Sequence, residues 1–378
     1  MKRLFVFAAI AACLASCGGP QTKEAAFEKD IEAFRKEIGN VGLAVAVVKN
    51  NQIVYSHEFG LANLEKKTPV QENSLFRIAS ISKSFSATSM MQLIEKGLVT
   101  LDTDVSDLAG FPIRNPKFPD TVITLEMLLS HTSSINDSQG YFELDRINPE
   151  TNKNWEQCYN DYEPGTGYEY CNLNFNLAGT FIEKLSGERF DQYVVHHVLE
   201  PLGLYGGYCV DSLDTSRFVS LYQYENGQFV EQVEAYAPRS KRIANYRFGY
   251  DTPVFSPTGG MKISACDLAR YMMMHMGWGT APDGTKIISE ESSRCMQKER
   301  SAPEHYGLAL CYTNERIPGV ELWGHTGGAY GLRSAMFWAP DRSFGLVCIS
   351  SGTYGDYEDE DSGVLNGTLT RLYNHFCK

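Results

Sequence analysis

The segments typical of β-strands in this 378-residue chain lie near its two ends, and the stretch between them is mostly helical. The predicted strands cover 41–48, 53–59, 321–326, 332–339 and 344–350. The first two are separated by Lys49-Asn50-Asn51, which is typical of a hairpin turn. We therefore predict an α/β fold (an α+β sandwich), in which one antiparallel sheet is built from both termini and carries helices on its faces.

Apolar residues at helical spacing predict the helices of the chain. These helices cover 26–38, 80–96, 124–130, 173–186, 189–199, 264–276 and 363–376. The helix that starts at Ser80 is apolar on more than one side and is followed by Gly97, as expected of a helix buried between two layers. We predict an α/β domain formed by 27–100 and 256–378, with a mainly helical insertion over 101–255.

The N-terminus is typical of an export signal rather than of the fold. Residues 1–16 combine a basic start with an apolar run that is too short to span a bilayer, which predicts a signal peptide. Leu14-Ala15-Ser16-Cys17 resembles the lipobox of bacterial lipoproteins. This resemblance implies a lipid on Cys17, a tether over 17–26 and a periplasm-facing, membrane-anchored protein of the cell envelope. The alternative is an ordinary secretory signal that is cut nearby.

The composition argues against several classes of protein. The net charge is −12 and no long basic run occurs, so binding to a nucleic-acid backbone is not expected. Ten cysteines occur; without Cys13 and Cys17 eight remain (10 − 2 = 8), and the sequence does not say which of them form disulfides. The chain lacks C-x-x-C, H-E-x-x-H, P-loop and G-x-S-x-G motifs. We predict neither a metal nor a cofactor.

The motif that indicates chemistry is Ser80-Ile81-Ser82-Lys83, at the start of the buried helix. Ser80 and Lys83 lie one turn apart on one face, where the helix start favours developing negative charge. Lys83 can act as the base for Ser80 only when it is neutral. Its pKa must therefore fall by roughly three units, which corresponds to about 4 kcal/mol, through burial or nearby positive charge.

Further short motifs follow along most of the chain in a fixed order. They are FRIASISK (76–83), KGLVTLD (96–102), LLSHTSS (128–134), EPGT (163–166), YCNLN (170–174), EPLGL (200–204), TGGM (258–261) and GHTGG (324–328). Over about residues 27–350 the chain resembles the beta-lactamase-related serine hydrolases. This family includes class C beta-lactamases, D-alanyl-D-alanine carboxypeptidases, D-aminopeptidases and certain esterases. The resemblance implies a penicillin-binding-protein/beta-lactamase-like fold and an acyl-enzyme formed on Ser80.

Tyr170 and Asn172 match the second motif of the family, Y-x-N. In a loop that enters a helix, residues two apart can face the same way. A phenol beside Lys83 can relay protons, and an asparagine can accept from Lys83 while it donates to a substrate carbonyl. Whether Lys83 or Tyr170 is the base stays open. The alternative reading is that this stretch only caps the helix at 173–186.

The third family motif, K-T-G, is replaced here by His325-Thr326-Gly327. Gly327 and Gly328 remove side chains where an edge strand must approach a substrate. By family analogy, the N–H of Gly328 and that of Ser80 form an oxyanion hole. The lysine of K-T-G is a permanent cation, whereas a histidine titrates at about pH 6.5. This difference weakens the beta-lactamase interpretation. We therefore hypothesise that His325 makes activity depend on pH between about 5 and 8.

Other residues invite a functional reading. Arg333 is a candidate clamp for a substrate carboxylate, the alternative being a solvent-facing strand position. We expect His131 to be a structural hydrogen-bonding residue. His196 and His197 are adjacent on a helix, where neighbouring side chains diverge, so a metal site is not predicted. The acidic cluster at 356–361 is interpreted as a solvated helix cap, with calcium binding as the alternative.

The resemblance implies a serine hydrolase that acts by acyl transfer on peptide-like amides such as D-amino-acid peptides. Esters and beta-lactams are alternative substrates within the same mechanism. Two other classes are a binding protein without turnover, such as a sensor of cell-wall fragments, and a structural surface lipoprotein. The intact set of Ser80, Lys83, Tyr170 and Asn172 argues against both. We expect a small-molecule or short-peptide substrate and a monomeric protein.

Overall fold

The structure is a computed structural model that describes residues 22–302, 304–355 and 363–378. The predicted signal peptide, residues 17–21 of the predicted tether (Cys17 among them) and the acidic cluster at 356–361 lie outside the described residues. Within the described ranges, no helix has the length and apolar character that crossing a bilayer requires.

The elements are numbered along the chain. The strands are β1 (Gly42–Lys49), β2 (Gln52–Asn63), β3 (Thr68–Pro69), β4 (Phe76–Arg77), β5 (Gly206–Gly207), β6 (Tyr222–Glu225), β7 (Gln228–Glu231), β8 (Lys262–Ile263), β9 (Cys311–Thr313), β10 (Leu322–Ala329), β11 (Leu332–Trp338) and β12 (Phe344–Ser350). The helices are α1 (Lys23–Glu37), α2 (Ser82–Glu95), α3 (Val105–Ala109), α4 (Leu125–Leu129), α5 (Asn172–Ser186), α6 (Phe190–Val194), α7 (Ser240–Ile243), α8 (Ala265–Met276), α9 (Glu290–Met296) and α10 (Val364–Leu372). A 3-10 turn, Ala79–Ile81, leads directly into α2.

A seven-stranded sheet forms the centre of the fold, with the strand order β3-β2-β1-β12-β11-β10-β9. Its pairs are antiparallel, and β1 meets β12 with Ala46 opposite Val347. All of its strands come from 42–69 and 311–350. The prediction of one antiparallel sheet built from both ends of the chain is therefore confirmed.

The two faces of this sheet are covered by different parts of the chain. Val45 and Val47 of β1 pack towards α1 and α10, which form what we call the terminal face. Ala44 and Ala46 point to the opposite side, where α8 packs across the sheet and the turn before α2 contacts β10 and β11. We call this side the insertion face. Side chains alternate between the two faces because successive residues of a strand point in opposite directions.

The region 101–255 adds no strand to the seven-stranded sheet. It contains α3 to α7, several 3-10 turns and the hairpin β6–β7, and its α5 packs on α2. β5 pairs with β8 in a small three-stranded sheet of order β4-β8-β5, which ties the region to the residues on either side of it. Residues 101–255 thus pack next to α2, which follows Ser80.

Candidate active site

Ser80 lies in the 3-10 turn before α2 and lines a cavity between the inserted region and β10. Lys83 lies one turn further along, and the distance from its Nζ to Ser80 Oγ is 3.1 Å. The second serine of the motif, Ser82, is turned away and buried, and its Oγ accepts a hydrogen bond from Met261 N at 3.0 Å. Of these two hydroxyl groups, that of Ser80 therefore faces the cavity.

The cavity has a volume of about 680 Å³. Three aromatic side chains of its wall come from the loops before α5, namely Tyr141, Phe142 and Tyr168, and the opposite wall is the edge of β10. A volume of this size is typical of sites for small molecules, so a small compound or a short peptide fits it.

The amino group of Lys83 is completely buried and has three close neighbours. Besides Ser80 Oγ, its Nζ lies 2.9 Å from Asn172 Oδ1 and 3.0 Å from the carbonyl oxygen of Thr258. Both of these oxygens only accept hydrogen bonds, so they take the two N–H groups of a neutral amine and leave its lone pair for the Ser80 hydroxyl. Burial lowers the pKa of Lys83 to about 7, against an opposing influence of the Asp137 carboxylate.

Asn172 starts α5, and Asp137 orients its side chain. Asp137 Oδ2 accepts from Asn172 N at 2.8 Å and from Asn172 Nδ2 at 2.9 Å, while Oδ1 accepts from Leu173 N at 2.9 Å. Because a carboxylate only accepts, the amide nitrogen of Asn172 must face Asp137 and its oxygen must face Lys83. The structure thus places the donor end of Asn172 on Asp137 rather than towards the expected substrate carbonyl. The same carboxylate caps the N-terminus of α5.

Tyr170 lies beside Lys83, with Nζ 4.6 Å from the centroid of the phenol ring. The ring of His131 packs on Tyr170 at 4.4 Å, and its Nδ1 accepts from Cys171 N at 3.1 Å. The thiol of Cys171 points elsewhere and donates to Asp137 at 3.2 Å. Tyr170 and Asn172 therefore face Lys83 together, and His131 has the structural hydrogen-bonding role expected of it.

The edge of β10 approaches the turn that carries Ser80. β9 pairs with β10 only at residues 322–324, so the later part of this edge is open to the cavity. A Cβ on Gly327 would lie 2.3 Å from the carbonyl oxygen of Ile78 and 2.4 Å from Ser334 Oγ, and glycine is therefore required there. That same position is 3.1 Å from Ser80 N. The backbone around Gly327 and Gly328 thus lies next to the backbone N–H of Ser80.

The backbone just before Ser80 is strained. Ala79 has a φ of 45°, in the left-handed region that residues with a Cβ avoid at a cost of about 1–2 kcal/mol. The neighbouring Ile78 is held by a hydrogen bond from its N–H to the carbonyl oxygen of Met261 at 3.0 Å. Strain of this kind is common at functional sites, where the surrounding structure maintains it.

Comparison with known proteins identifies this arrangement. A family model described as Beta-lactamase matches residues 27–367. The chain belongs to the beta-lactamase family. Penicillin-binding protein 4 of Amycolatopsis lactamdurans is 28% identical over 348 residues, which cover 86% of this chain and 84% of that protein. The resemblance inferred from the motifs is thereby confirmed, and this member of the family is a serine hydrolase.

Two solved structures share the fold of this family member. D-amino acid amidase from Ochrobactrum anthropi SV3, complexed with L-phenylalanine amide, has a TM-score of 0.73 at 20% identity and covers 93% of this chain and 98% of its own. The octameric penicillin-binding protein homologue from Pyrococcus abyssi has a TM-score of 0.72 at 24% identity and covers 93% and 77%, respectively. These likenesses confirm the predicted penicillin-binding-protein/beta-lactamase-like fold.

His325, which replaces the lysine of the family motif, is buried and neutral. Its Nδ1 faces the carbonyl oxygen of Thr326, which only accepts, so Nδ1 carries the hydrogen and Nε2 accepts from the Tyr306 hydroxyl at 2.8 Å. Burial and the nearby Lys83 lower the pKa of His325 to about 3. The hypothesis that His325 titrates between about pH 5 and 8 is therefore wrong, because its buried position disfavours the charged form.

Tyr306 and Asp137 are the members of the site that the motifs do not reveal. Tyr306 is buried, and burial raises its pKa well above the ordinary value, so its hydroxyl remains a donor to His325. Its ring also lies 4.9 Å from His131. Asp137 follows the family motif at 128–134 closely, and this proximity is the one sequence signal that could have indicated it.

Arg333 does not line the cavity. It lies opposite Gly328 in the pairing of β10 with β11, and the next residue, Ser334, donates its hydroxyl to the carbonyl oxygen of Ile78 at 2.8 Å. Because successive side chains of a strand point to opposite faces, Arg333 points towards the terminal face, away from Ser80. The interpretation of Arg333 as a carboxylate clamp is therefore wrong.

The adjacent histidines also differ from expectation. His196 and His197 both contact the carboxylate of Glu188, the latter at 2.9 Å, because a π-helical turn at Val195–Leu199 brings the two rings towards the same side. In the part of the chain that the structure describes, no group of three metal-binding side chains is arranged around an ion site. The described cysteines are thiols and no disulfide joins them.

Proposed function

We propose that this serine hydrolase cleaves amide bonds in peptides that contain D-amino acids, by way of an acyl-enzyme on Ser80. The observation that carries the proposal is the position of a buried amine, Lys83 Nζ, 3.1 Å from Ser80 Oγ. With a pKa lowered to about 7 by burial, about half of this amine is unprotonated at pH 7 and most of it is unprotonated at pH 8. A neutral amine in this position is the base that the serine needs.

In the first half of the reaction, Ser80 Oγ attacks the substrate carbonyl carbon while its proton passes to Lys83. The backbone N–H groups of Ser80 and Gly328 hold the oxyanion, and each such donor lowers the barrier by about 2.7–4 kcal/mol. Tyr170, beside Lys83, delivers its proton to the leaving nitrogen as the C–N bond breaks and receives from Lys83 the proton taken from Ser80, so that Lys83 is neutral again before water attacks. The hydrogen-bond distance between Lys83 and Ser80 supports Lys83 as the base.

In the second half, a water molecule attacks the ester carbon of the acyl-enzyme. Lys83 accepts a proton from this water, and a second oxyanion forms in the same backbone site. The ester bond breaks, Ser80 regains its proton and the carboxylic acid product leaves. Asn172 and Asp137 keep the Lys83 amine in place throughout, the former by direct contact and the latter by orienting Asn172.

The choice of an amide substrate is supported by two of the similar proteins, a penicillin-binding protein and a D-amino acid amidase. A beta-lactam is disfavoured because neutral His325 stands where most beta-lactamases of this type carry a permanently charged lysine. A neutral imidazole offers less attraction to a carboxylate than a cation does.

The experiment that tests this function is reaction of the purified protein with a fluorophosphonate, followed by intact and peptide mass spectrometry. We expect one adduct on Ser80 in the wild-type protein and none in Ser80→Ala. Ser82→Ala should give the same adduct as the wild type, because the Ser82 hydroxyl is buried. Ser80→Ala should lower kcat/KM on D-alanyl peptides by at least about 10⁴-fold. An adduct on another residue would contradict the nucleophile. In a parallel incubation with a D-alanyl peptide, an acyl group that stays on Ser80 would indicate a binding protein without turnover.

We also propose that the mature protein is a monomeric lipoprotein of the cell envelope, anchored through Cys17. The lipobox-like sequence supports this, as does the start of α1 at Lys23, which leaves a short tether between anchor and fold. Cys17→Ser should move the protein from the membrane fraction to the soluble fraction, and an unchanged membrane fraction would refute the anchor.

We further propose that the chain is divided into one domain formed by 27–100 and 256–378 and an insertion at 101–255. The distribution of the strands supports this division.

A further inference from the structure

A buried guanidinium, that of Arg77, lies in the wall of the same cavity. It is 5% exposed and sits in β4, three residues before Ser80. Its Nε donates to the carbonyl oxygen of Gly259 at 2.8 Å and its Nη1 to that of Ala235 at 3.2 Å. In the ranges that the structure describes, the arginines in ion pairs are others, and no carboxylate neutralises Arg77.

One edge of the Arg77 guanidinium is left for a ligand. Nη2 makes no hydrogen bond within the described residues. It is not fully enclosed either, because the enclosed polar atoms that lack a partner are others. Since Arg77 lines the cavity, Nη2 is exposed to it. The ring of Tyr330, which lines the cavity, lies 5.0 Å from Arg77 Cζ. The guanidinium is thus held by two backbone carbonyl groups and one aromatic ring, with donors directed at the open space.

Within the described residues, no carboxylate near Arg77 cancels its charge. Lys262 lies directly opposite Arg77 in the pairing of β4 with β8, and its buried amino group donates to the carbonyl oxygen of Tyr208. Burial and the charge of Arg77 lower the pKa of Lys262 well below its ordinary value, so the cation at this place is Arg77. Burial lowers the pKa of Arg77, and the positive charge of Arg239 acts in the same direction. A buried guanidinium that no acid among the described residues neutralises attracts an anion.

The position of Arg77 along the β10 edge indicates which part of the substrate reaches it. Tyr170, the proposed proton donor to the leaving group, has its ring 6.3 Å from that of His325, at the start of the open edge. Tyr330 and Arg77 lie at the other end of this edge, beyond Ala329. A substrate that lies along β10 therefore has its leaving amine near His325 and its acyl part near Arg77.

We propose that Arg77 binds a carboxylate carried by the acyl part of the substrate, so that the enzyme selects acyl donors with a free acid group remote from the scissile bond. A guanidinium matches a carboxylate through two parallel hydrogen bonds, and Nη2 with the second hydrogen of Nη1 supplies them. This inference rests on the proposed function, because it assigns the acyl half of the same cavity.

The test compares two chromogenic esters that differ at one end of the acyl group, mono-p-nitrophenyl glutarate and the p-nitrophenyl ester of glutaric acid monoamide. The readout is the ratio of kcat/KM for the carboxylate ester to that for the carboxamide ester. We expect a ratio of about ten or more in the wild-type enzyme, and a fall of about tenfold in Arg77→Gln. Arg333→Gln, which removes a cation outside the cavity, is the matched control and should keep the wild-type ratio.

Equal turnover of the two esters by the wild-type enzyme would overturn the role of Arg77 and leave the proposed function intact. Turnover of neither ester, together with no adduct on Ser80, would instead refute the proposed function. A ratio lost in Arg333→Gln and kept in Arg77→Gln would also overturn the inference. If Arg77→Gln does not fold, inhibition of the wild-type enzyme decides: glutarate should inhibit at about one tenth of the concentration that glutaramide needs, and equal inhibition contradicts the proposal.

Discussion

The terminal face and the insertion face of the sheet are both densely packed, but with side chains of different kinds. On the terminal face, Phe27 and Ile31 of α1 and Leu365 and Leu369 of α10 pack on the apolar side chains of the sheet. On the insertion face, α2 buries a run of polar side chains, namely Ser82, Lys83, Ser84, Ser86, Thr88 and Ser89. The difference indicates that one face mainly supplies stability while the other face uses part of that stability to hold polar groups out of water.

This division explains how the protein maintains a neutral lysine. Lowering a lysine pKa by about three units opposes folding by about 4 kcal/mol, since the charged form loses its hydration. Lys83 occupies such a position because the rest of the core, including the closed terminal face, contributes enough apolar burial to offset it. Predictions that act on one face and not on the other test this interpretation.

Among the residues that surround Ser80, the largest effect is expected from Lys83. Lys83→Met should lower kcat/KM by about 10³-fold, within the range typical for loss of a general base. In the wild-type enzyme, kcat/KM should fall about tenfold per pH unit below pH 7, because protonation of Lys83, whose pKa is about 7, removes its lone pair. Rates measured from pH 5 to 9 check this.

His325→Gln is the control for that pH profile. The pKa of His325 is lowered to about 3, so the residue stays neutral across the range and its replacement should leave the midpoint of the acid limb unchanged. A flat profile from pH 5 to 9 in the wild-type enzyme would exclude Lys83 as the titrating base. An acid limb that moves in His325→Gln would restore the histidine as the titrating group.

A smaller effect is expected from Asp137, a positioning residue on the insertion face. Asp137→Asn allows Asn172 to turn its amide, and kcat/KM should fall about 10- to 100-fold, the loss typical of a misplaced catalytic group. Because the charge of Asp137 raises the pKa of Lys83, its removal should also move the acid limb below pH 7. Asp120→Asn, at an exposed position, is the control. Lower activity with an unshifted limb would contradict the electrostatic part of this role.

The smallest effect on activity is expected from the terminal face. Leu369 is fully buried on α10, so Leu369→Ala should lower the free energy of unfolding by about 2–5 kcal/mol through lost burial and a cavity. Well below the melting temperature, kcat/KM should stay within about twofold, since no residue of the site packs on α10. Urea unfolding and steady-state rates measure the two quantities, with exposed Leu98→Ala as the control. A matching fall in kcat/KM would show that the two faces are coupled.

Long periodic segments were predictable from the sequence, and short ones were not. The predicted strand at 344–350 coincides with β12, and the predicted helix at 173–186 differs from α5 by one residue. β4, β5 and β8 are two residues long each, and they exist only because they pair with one another in three dimensions. The predicted helix at 189–199 is divided into α6 and a π-helical turn, a change that depends on local packing.

The sequence by itself determined which residues are neighbours along one element. Ser80 and Lys83 meet because a helix returns to the same face after one turn, and Gly327 permits close approach because it has no side chain. The tertiary structure decided the chemical state of these groups and of those around them. Burial lowered the pKa of Lys83 and of His325, Asp137 oriented Asn172, and strand alternation turned Arg333 away while Arg77 reached the cavity. Burial and hydrogen-bond partners come from residues far apart in the chain, so no local pattern contains them.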